Sequence, residues 1–213
     1  MKKAVVLLSA GLDSLTALAI AQREYTVVCA LTIDYGQRAA KREIALAKKI
    51  AAHYNLPQVV IRLPWYAKII HSSLVNRKTA VPQLAAAAAG NLQTAKAVWV
   101  PNRNGLFLNL AAAYAESHGA DVVIVGFNKE EAATFPDNSL AYCKAADKAL
   151  GYSTQNKVKV KNYFFNKNKK QIYALAVKHK APLQYVWPCY HGGRRMCGTC
   201  ESCQRFLRAK HAN

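Results

Sequence analysis

The order of apolar and polar positions divides the chain into short buried runs separated by longer amphipathic stretches. Lys3–Leu8 is a continuous apolar run rich in branched residues, which predicts a buried strand. Ser14–Gln22 after it predicts a helix, with Asp13 and Ser14 as its caps. Tyr25–Ile33 predicts a second buried strand. Arg38–Tyr54 carries Ile44, Leu46, Ala47, Ile50 and Ala51 at helical spacing, with charge on the opposite face. Gln58–Arg62 reads as a short strand. Residues 64–101 are less regular, and the alanine run Ala85–Ala89 predicts a helical insertion, because alanine is the best helix former. Beyond it the pattern predicts a helix over Gly105–His118, a strand over Asp121–Phe127 and a helix over Ser139–Leu150. A last strand over Lys157–Phe165 and a helix over Lys167–Lys178 follow.

Strand–helix alternation of this kind predicts an α/β fold: a Rossmann-like parallel sheet with helices on both faces. Ligands of such sheets bind at the carboxyl ends of the strands, at a topological switch point. The segments to inspect are therefore 9–14, 34–38, 101–104 and 126–139. A chain of 213 residues suits one domain with a small appended lobe. The expected division is 1–183 for the α/β domain and 184–213 for a C-terminal segment packed as part of the same domain. No apolar run approaches the ~20 residues of a membrane span. The apolar stretch near the N-terminus is broken by Asp13, wrong for a secretory leader, so a cytoplasmic protein with no membrane partner is expected.

Composition changes the picture only a little. With 52% hydrophobic residues the chain is globular and not disordered. Lys and Arg number 30 against 11 Asp and Glu, a formal charge of +19. That favours polyanionic partners, whether nucleic acid or ATP and pyrophosphate, and is equally compatible with a generally basic proteome. The densest basic patch is Lys157–Lys170, around Tyr163, Phe164 and Phe165.

Two segments carry chemistry. In Ser9-Ala10-Gly11-Leu12-Asp13-Ser14, small residues let the backbone approach a ligand, and free N–H groups at the helix start suit a phosphate. Ser9 and Ser14 add hydroxyls, and Asp13 either holds a magnesium ion on the phosphates or caps the helix. A Walker A loop is excluded, since that needs a longer stretch ending in Gly-Lys-Ser/Thr. The second segment is Cys189-x7-Cys197-x2-Cys200-x2-Cys203. Four thiolates close a tetrahedral zinc site; the spacing alone is shared with iron–sulfur clusters. Saturation by four sulfurs points to a structural rather than a catalytic ion. Arg194, Arg195 and Arg205 can offset its negative charge, and His191 lies within its loop.

The remaining candidates lie in loops at the ligand edge. Asp34, Gln37 and Arg38 follow the second strand. Arg103 can clamp a phosphate or carboxylate through paired hydrogen bonds, and Asn104 reads first as a helix cap. The polar segment 128–139 offers Asn128, Asp137 and Asn138 as substrate contacts.

Taken in this order, the loop after strand one, Asp34-Tyr35-Gly36-Gln37, Val100-Pro101-Asn102-Arg103-Asn104 and the terminal cysteines resemble the 7-cyano-7-deazaguanine synthase family, from about residue 3 to 210. Its loop is similar to the Ser-Gly-Gly-x-Asp-Ser pyrophosphate loop of enzymes that split ATP between the α- and β-phosphates, such as GMP synthetase. The resemblance implies that the carboxylate of 7-carboxy-7-deazaguanine is adenylated by ATP with magnesium and that ammonia then gives the amide. A second activation with loss of water gives the nitrile, a precursor of queuosine-type nucleosides. It implies ATP contacts at Leu8, Ser9, Ala10, Gly11, Leu12, Asp13, Ser14, Leu15, Thr16, Ala17 and Leu18, with catalytic roles for Asp13, Ser14 and Arg103. Substrate contacts fall on Gln37, Arg38, Asn104, Asn128 and Asp137, and zinc on the four cysteines. A homodimer is implied as well. Three departures stand out. Ala10 replaces a glycine of the loop, Asn102 stands where glycine is usual, and the segment ending Phe135-Pro136-Asp137-Asn138-Ser139 lacks the cysteine and arginine that follow Pro-Asp in typical members.

Other readings compete. A diverged relative would act on a group attached to tRNA, DNA or a protein, which the charge favours. A tRNA sulfur-transfer enzyme would need a catalytic cysteine near the strand ends, whereas Cys143 falls in a predicted helix. A non-catalytic zinc-ribbon module is at odds with the α/β region ahead of the cysteines.

Overall fold

The computed structural model describes residues 1–83 and 92–212, so the alanine run Ala85–Ala89 lies outside the described residues. Strands β1 (Lys3–Leu7), β2 (Thr26–Asp34), β3 (Gln58–Arg62), β4 (Val122–Val125) and β5 (Lys159–Asn162) form one sheet. Its order is β3-β2-β1-β4-β5 and every pairing is parallel. The helices are α1 (Leu12–Glu24), α2 (Ala40–His53), α3 (Pro64–Ile69), α4 (Leu92–Val98), α5 (Arg103–Ser117), α6 (Lys129–Ala132), α7 (Leu140–Ser153), α8 (Lys169–Lys178) and α9 (Glu201–His211).

The two-residue period of β1 sorts the helices onto the two faces. Ala4, Val6 and Leu8 belong to a buried cluster with side chains of α1, α2 and α8, among them Leu15, Leu18, Ile50 and Ile172. Val5 belongs to the opposite cluster, with Leu108 and Ala111 of α5 and Cys143 and Leu150 of α7. β4 is buried along its whole length, as expected of an inner parallel strand with both faces covered. Each fully buried aliphatic side chain in these layers contributes ~1.5–3 kcal/mol.

Most boundaries follow from local chemistry. The helix predicted from Lys167 begins at Lys169, because Asn168 and Gln171 form a capping box: the Gln171 N–H donates to Asn168 Oδ1 at 2.9 Å and the Asn168 N–H to Gln171 Oε1 at 3.0 Å. Ser139 caps α7 by accepting from the Tyr142 N–H at 3.1 Å. The helix α9 was not anticipated within the cysteine segment. Its buried face, Cys203, Phe206 and Ala209, packs with α8 and on the same side of the sheet as β1 and α1. The cysteine segment thus shares the core of the α/β layers.

β1 sends connections to β2 on one side and lies beside β4 on the other, so the switch point falls between β1 and β4, above the carboxyl end of β1.

Candidate active site

At that point the chain leaves β1 through Leu8–Gly11 and enters α1. Gly11, in extended conformation, is the N-cap and makes no side-chain cap. The expectation that Asp13 and Ser14 cap this helix is corrected: both lie within its first turn, and their side chains do other work. The Ser14 hydroxyl donates to the Gly11 carbonyl at 3.1 Å and accepts from the Ser9 N–H at 3.3 Å, which folds the loop back over the helix start. Ala10 has φ 62°, in the left-handed region that glycine occupies freely. The alanine therefore keeps the backbone of a glycine, with its methyl buried. Its carbonyl accepts the Trp187 N–H at 2.8 Å, tying the cysteine segment to the loop. Gly126, at the end of β4, closes the other side. A Cβ there would lie 2.7 Å from the Asp13 carbonyl carbon and 2.8 Å from the Ser14 nitrogen.

Asp13 points into a buried charge network. Its Oδ2 accepts from Lys169 Nζ at 2.5 Å and from Asn128 Nδ2 at 2.8 Å, and Lys169 Nζ also reaches Glu131 Oε1 at 2.9 Å. The other oxygen, Asp13 Oδ1, is buried and has no hydrogen-bond partner among the described residues. Burial, reinforced by nearby Glu131, pushes the Asp13 carboxyl up against the pull of Lys169. Burial also acts on Glu131, but Lys169 outweighs it and holds that carboxyl at about 2. Lys169 is desolvated too, and its two carboxylate neighbours keep it charged well above the ordinary range.

From the β2 side come Tyr35, Gln37 and Glu43. The Gln37 side chain is occupied at both ends. Its Oε1 accepts from the Tyr35 N–H at 2.9 Å, and its Nε2 donates to the Ile33 carbonyl at 3.2 Å and to Glu43 Oε2 at 2.8 Å. Burial raises the Glu43 carboxyl to about 7, despite the Gln37 hydrogen bond and the nearby Arg103 charge. Arg103 opens α5 and donates to the Tyr35 hydroxyl at 3.4 Å. Burial opposes its charge, and Tyr35, Asp137 and Glu131 around it more than restore it. Asn102 before it is left-handed, φ 50° and ψ 30°, which asparagine tolerates better than most residues. So the second glycine-to-other departure also preserves its backbone.

These groups line one cleft of about 260 Å³, together with Leu8, Ser9, Gly11, Ser14, Asn104, Phe107, Trp187, Tyr190 and Ser202. The cleft combines free N–H groups at a helix start, a cation, an unpartnered carboxylate oxygen and a guanidinium. That set can hold a polyphosphate with its divalent ion and stabilise charge developing at phosphorus.

Several predicted residues are placed elsewhere. Leu15, Thr16, Ala17 and Leu18 are buried in the core beneath α1, and the Thr16 hydroxyl is spent on the Leu12 carbonyl at 2.7 Å, so these four do not face the cleft. Ala10 and Leu12 are buried as well. Arg38 is turned away: its guanidinium holds the carbonyls of Asn76, at 2.7 Å, and Thr79. Asn128 is wholly buried, bonded to Asp13 and capping α6 through the Glu131 N–H at 3.0 Å, so it positions Asp13. Asn104 is not a cap. It lies inside α5 and donates to the Asp137 carbonyl at 3.3 Å, joining α5 to the 135–139 turn. Asp137 lines a side chamber beyond Arg103. Asn138 is buried and donates to the Asp137 carboxylate at 3.0 Å.

Sequence reading missed Lys169, Glu131 and Glu43. Lys169 sits in the run Lys167-Asn168-Lys169-Lys170, where it looks like one more surface charge. The only local signal is its place directly after the Asn168 cap.

The four cysteine sulfurs lie within 4.8 Å of one another. Cys189 and Cys197 Sγ are 3.5 Å apart, and Cys197 and Cys203 Sγ 3.9 Å. A tetrahedron with metal–sulfur bonds of ~2.3 Å has edges of ~3.8 Å, close to these two separations, so the four sulfurs could hold a metal ion. The N–H groups of His191, Cys197 and Cys200 donate to the sulfurs at 3.3–3.4 Å, as suits thiolates. Only the backbone of His191 takes part, and its imidazole lies outside the four-sulfur group.

Residues 3–212 match the family described as queuosine biosynthesis protein QueC. The chain is 52% identical over 216 residues to the 7-cyano-7-deazaguanine synthase of Carboxydothermus hydrogenoformans, covering 100% of both chains. It is 50% identical over 214 residues to that of Methanosarcina mazei, covering 97% of this chain and 93% of that protein. Among solved structures, NMN synthetase from Francisella tularensis shares the fold. Its TM-score is 0.53 at 16% identity, over 97% of this chain and 76% of that one.

Proposed function

We propose a residue-level mechanism from one premise: this chain belongs to the queuosine biosynthesis protein QueC family and acts as a 7-cyano-7-deazaguanine synthase, an ATP-dependent ligase. In the proposed reaction, the carboxylate of 7-carboxy-7-deazaguanine attacks the α-phosphorus of ATP and pyrophosphate departs. Ammonia then displaces AMP to give the amide; a second ATP adenylates the amide oxygen with release of pyrophosphate, and departure of AMP with that oxygen, together with loss of the nitrogen-bound protons, gives the nitrile. Adenylation is needed because a carboxylate has no leaving group better than oxide.

The observation that carries this assignment is the buried Asp13–Lys169–Glu131 network beneath the Ser9–Ser14 loop. The loop N–H groups and the Ser9 hydroxyl bind the β- and γ-phosphates, while the Ser14 hydroxyl, bonded to the Gly11 carbonyl and the Ser9 N–H, holds the loop in shape. Lys169 neutralises the pyrophosphate as it leaves. Arg103 binds the substrate carboxylate beside the α-phosphate and holds the two reactants together. Asp13 Oδ1, free of other partners, is the oxygen that would hold a magnesium ion, which when bound neutralises the phosphate oxygens. No group in the cleft needs to act as a strong base, since ammonia is itself the nucleophile. The four cysteines hold zinc in a structural role, which supports α9 and, through Trp187, the phosphate loop. A cytoplasmic homodimer completes the proposal.

The test is incubation with ATP, magnesium, ammonium and 7-carboxy-7-deazaguanine, followed by mass spectrometry. AMP and the nitrile are expected together. Bound ATP with neither product would overturn the free-base assignment, and an acceptor attached to a polymer or protein would replace it.

A further inference from the structure

We propose that the side chamber beyond Arg103 is the subsite for the heterocycle of the acyl substrate, and that the Glu201–Arg205 pair of α9 reads its amino-pyrimidinone edge. This rests on the reaction given above.

The chamber, about 120 Å³, is continuous with the main cleft: Leu74, Arg103, Glu131, Tyr190 and Ser202 line both. A planar molecule seated in the chamber can therefore present a carboxylate past Arg103 towards the nucleotide. One wall is flat and apolar. Trp99 and Phe135 stack with centroids 5.9 Å apart and planes 8° from parallel, next to Val98 and Val100. Such a wall suits the face of a fused bicyclic base.

Another part of the lining is polar. Arg205 donates to Glu201 Oε1 one helical turn away, with side chains only 10% and 6% exposed. The amino-pyrimidinone edge presents a carbonyl oxygen, a ring N–H and an amino group in a row. A guanidinium beside a carboxylate offers the matching donor and acceptors, with the carboxylate facing the two N–H groups. Burying an ion pair is expensive, and replacing such a pair with apolar side chains often stabilises a protein, so stability alone does not favour this pair. Asp137 brings a further acceptor to the same chamber. The chain has 11 acidic residues against 30 basic ones, and three of the 11, Glu131, Asp137 and Glu201, line this one chamber. Set against Arg103 and Arg205 in the same lining, these three carboxylates suit a ligand that presents N–H donors beside its own carbonyl and carboxylate oxygens.

The arrangement gives the cysteine group a second consequence. Cys200 is the N-cap of α9 and Cys203 lies in its first turn, so the residues that hold the metal also fix the height and rotation of Glu201 and Arg205 in the chamber.

The experiment compares wild type and Glu201→Gln, with metal content checked in both. KM is measured for ATP, for 7-carboxy-7-deazaguanine and for the analogue lacking the 2-amino group. In the wild type, removing the amino group should raise KM ~10–100-fold, the range expected when a buried acceptor loses its donor. In Glu201→Gln the KM of the natural acid should rise by a similar factor, removal of the amino group should add nothing, and the KM for ATP should stay within ~3-fold. A wild type indifferent to the amino group, or a variant that still discriminates fully, overturns the proposal. If Glu201→Gln fails to retain its metal, Trp99→Ala in the apolar part of the lining takes its place. A tenfold or greater rise in KM for the acid alone supports the subsite, and an unchanged value overturns it. A wild type that turns over neither compound refutes the reaction itself, which separates the two failures.

Discussion

Consider Glu43 replaced by glutamine. Its carboxyl lines the cleft, accepts from Gln37 Nε2 at 2.8 Å and is raised by burial from 4.5 to about 7. A carboxyl whose folded pKa lies above its unfolded one binds more protons in the native state. Its contribution to stability is therefore complete below pH 4.5 and is lost as pH rises through 7. From these two values, the penalty of ionising Glu43 in place grows from about 0.8 kcal/mol at pH 5 to about 3 kcal/mol at pH 8. Glutamine cannot ionise, and its amide oxygen can still accept from Gln37. From pH 4.5 to pH 8 the variant should gain ~3 kcal/mol on the wild type; an amide N–H₂ that finds no partner would subtract up to ~2 kcal/mol at every pH, leaving the variant ahead by ~1–3 kcal/mol at pH 8. Asp13 and Glu131 titrate in both proteins and cancel in the difference. The assay is urea unfolding at half-unit steps from pH 5 to 8.5, read as midpoint and slope. A difference that does not change with pH, or a variant less stable than wild type at pH 8, refutes the reasoning.

Three further predictions follow from the site. Lys169→Met strands Asp13 and Glu131 without their shared cation; it should lower stability by ~3–5 kcal/mol and abolish AMP formation, which denaturant unfolding and AMP release will check. Gly126→Ala drives a methyl to within 2.7–2.8 Å of the Asp13 and Ser14 backbone. It should weaken ATP binding at least tenfold by calorimetry while the metal content stays unchanged. Cys200→Ser removes one of four sulfurs while leaving a residue suited to the N-cap of α9, so its effect reports on the metal group. Elemental analysis should show the metal lost and calorimetry a Tm lower by several degrees.

How much of this was legible in the sequence depends on distance along the chain. The sheet was legible because inner parallel strands are apolar on both faces, so runs such as Val122–Val125 announce themselves. The phosphate loop and the cysteine group were legible because each is contiguous. The cap of α1 was misread because Asp and Ser have the right chemistry for an N-cap, and only the fold shows Lys169 and Gly11 competing for those roles. Lys169, Glu131 and Glu43 were invisible because a charged residue in a polar stretch looks the same whether it faces water or a cleft. Their burial is decided by elements far off in the chain. Asn102 and Ala10 could be flagged as departures from glycine, but their left-handed backbone needed the structure.

The contact between Lys169 and Asp13 spans 156 residues, and that between Asn128 and Asp13 spans 115. β1, the strand that carries the phosphate loop, is made first and cannot complete its pairing until β4 exists. During synthesis the loop therefore emerges early, but Asn128 arrives only after β4 and Lys169 only after all five strands have been made. Long-range closure of this kind is slow. It also acts as a checkpoint: a chain interrupted before residue 169 lacks both the lysine that pairs with Asp13 and the helices α8 and α9 that cover one face of the sheet, so the cleft and its supporting core are completed together.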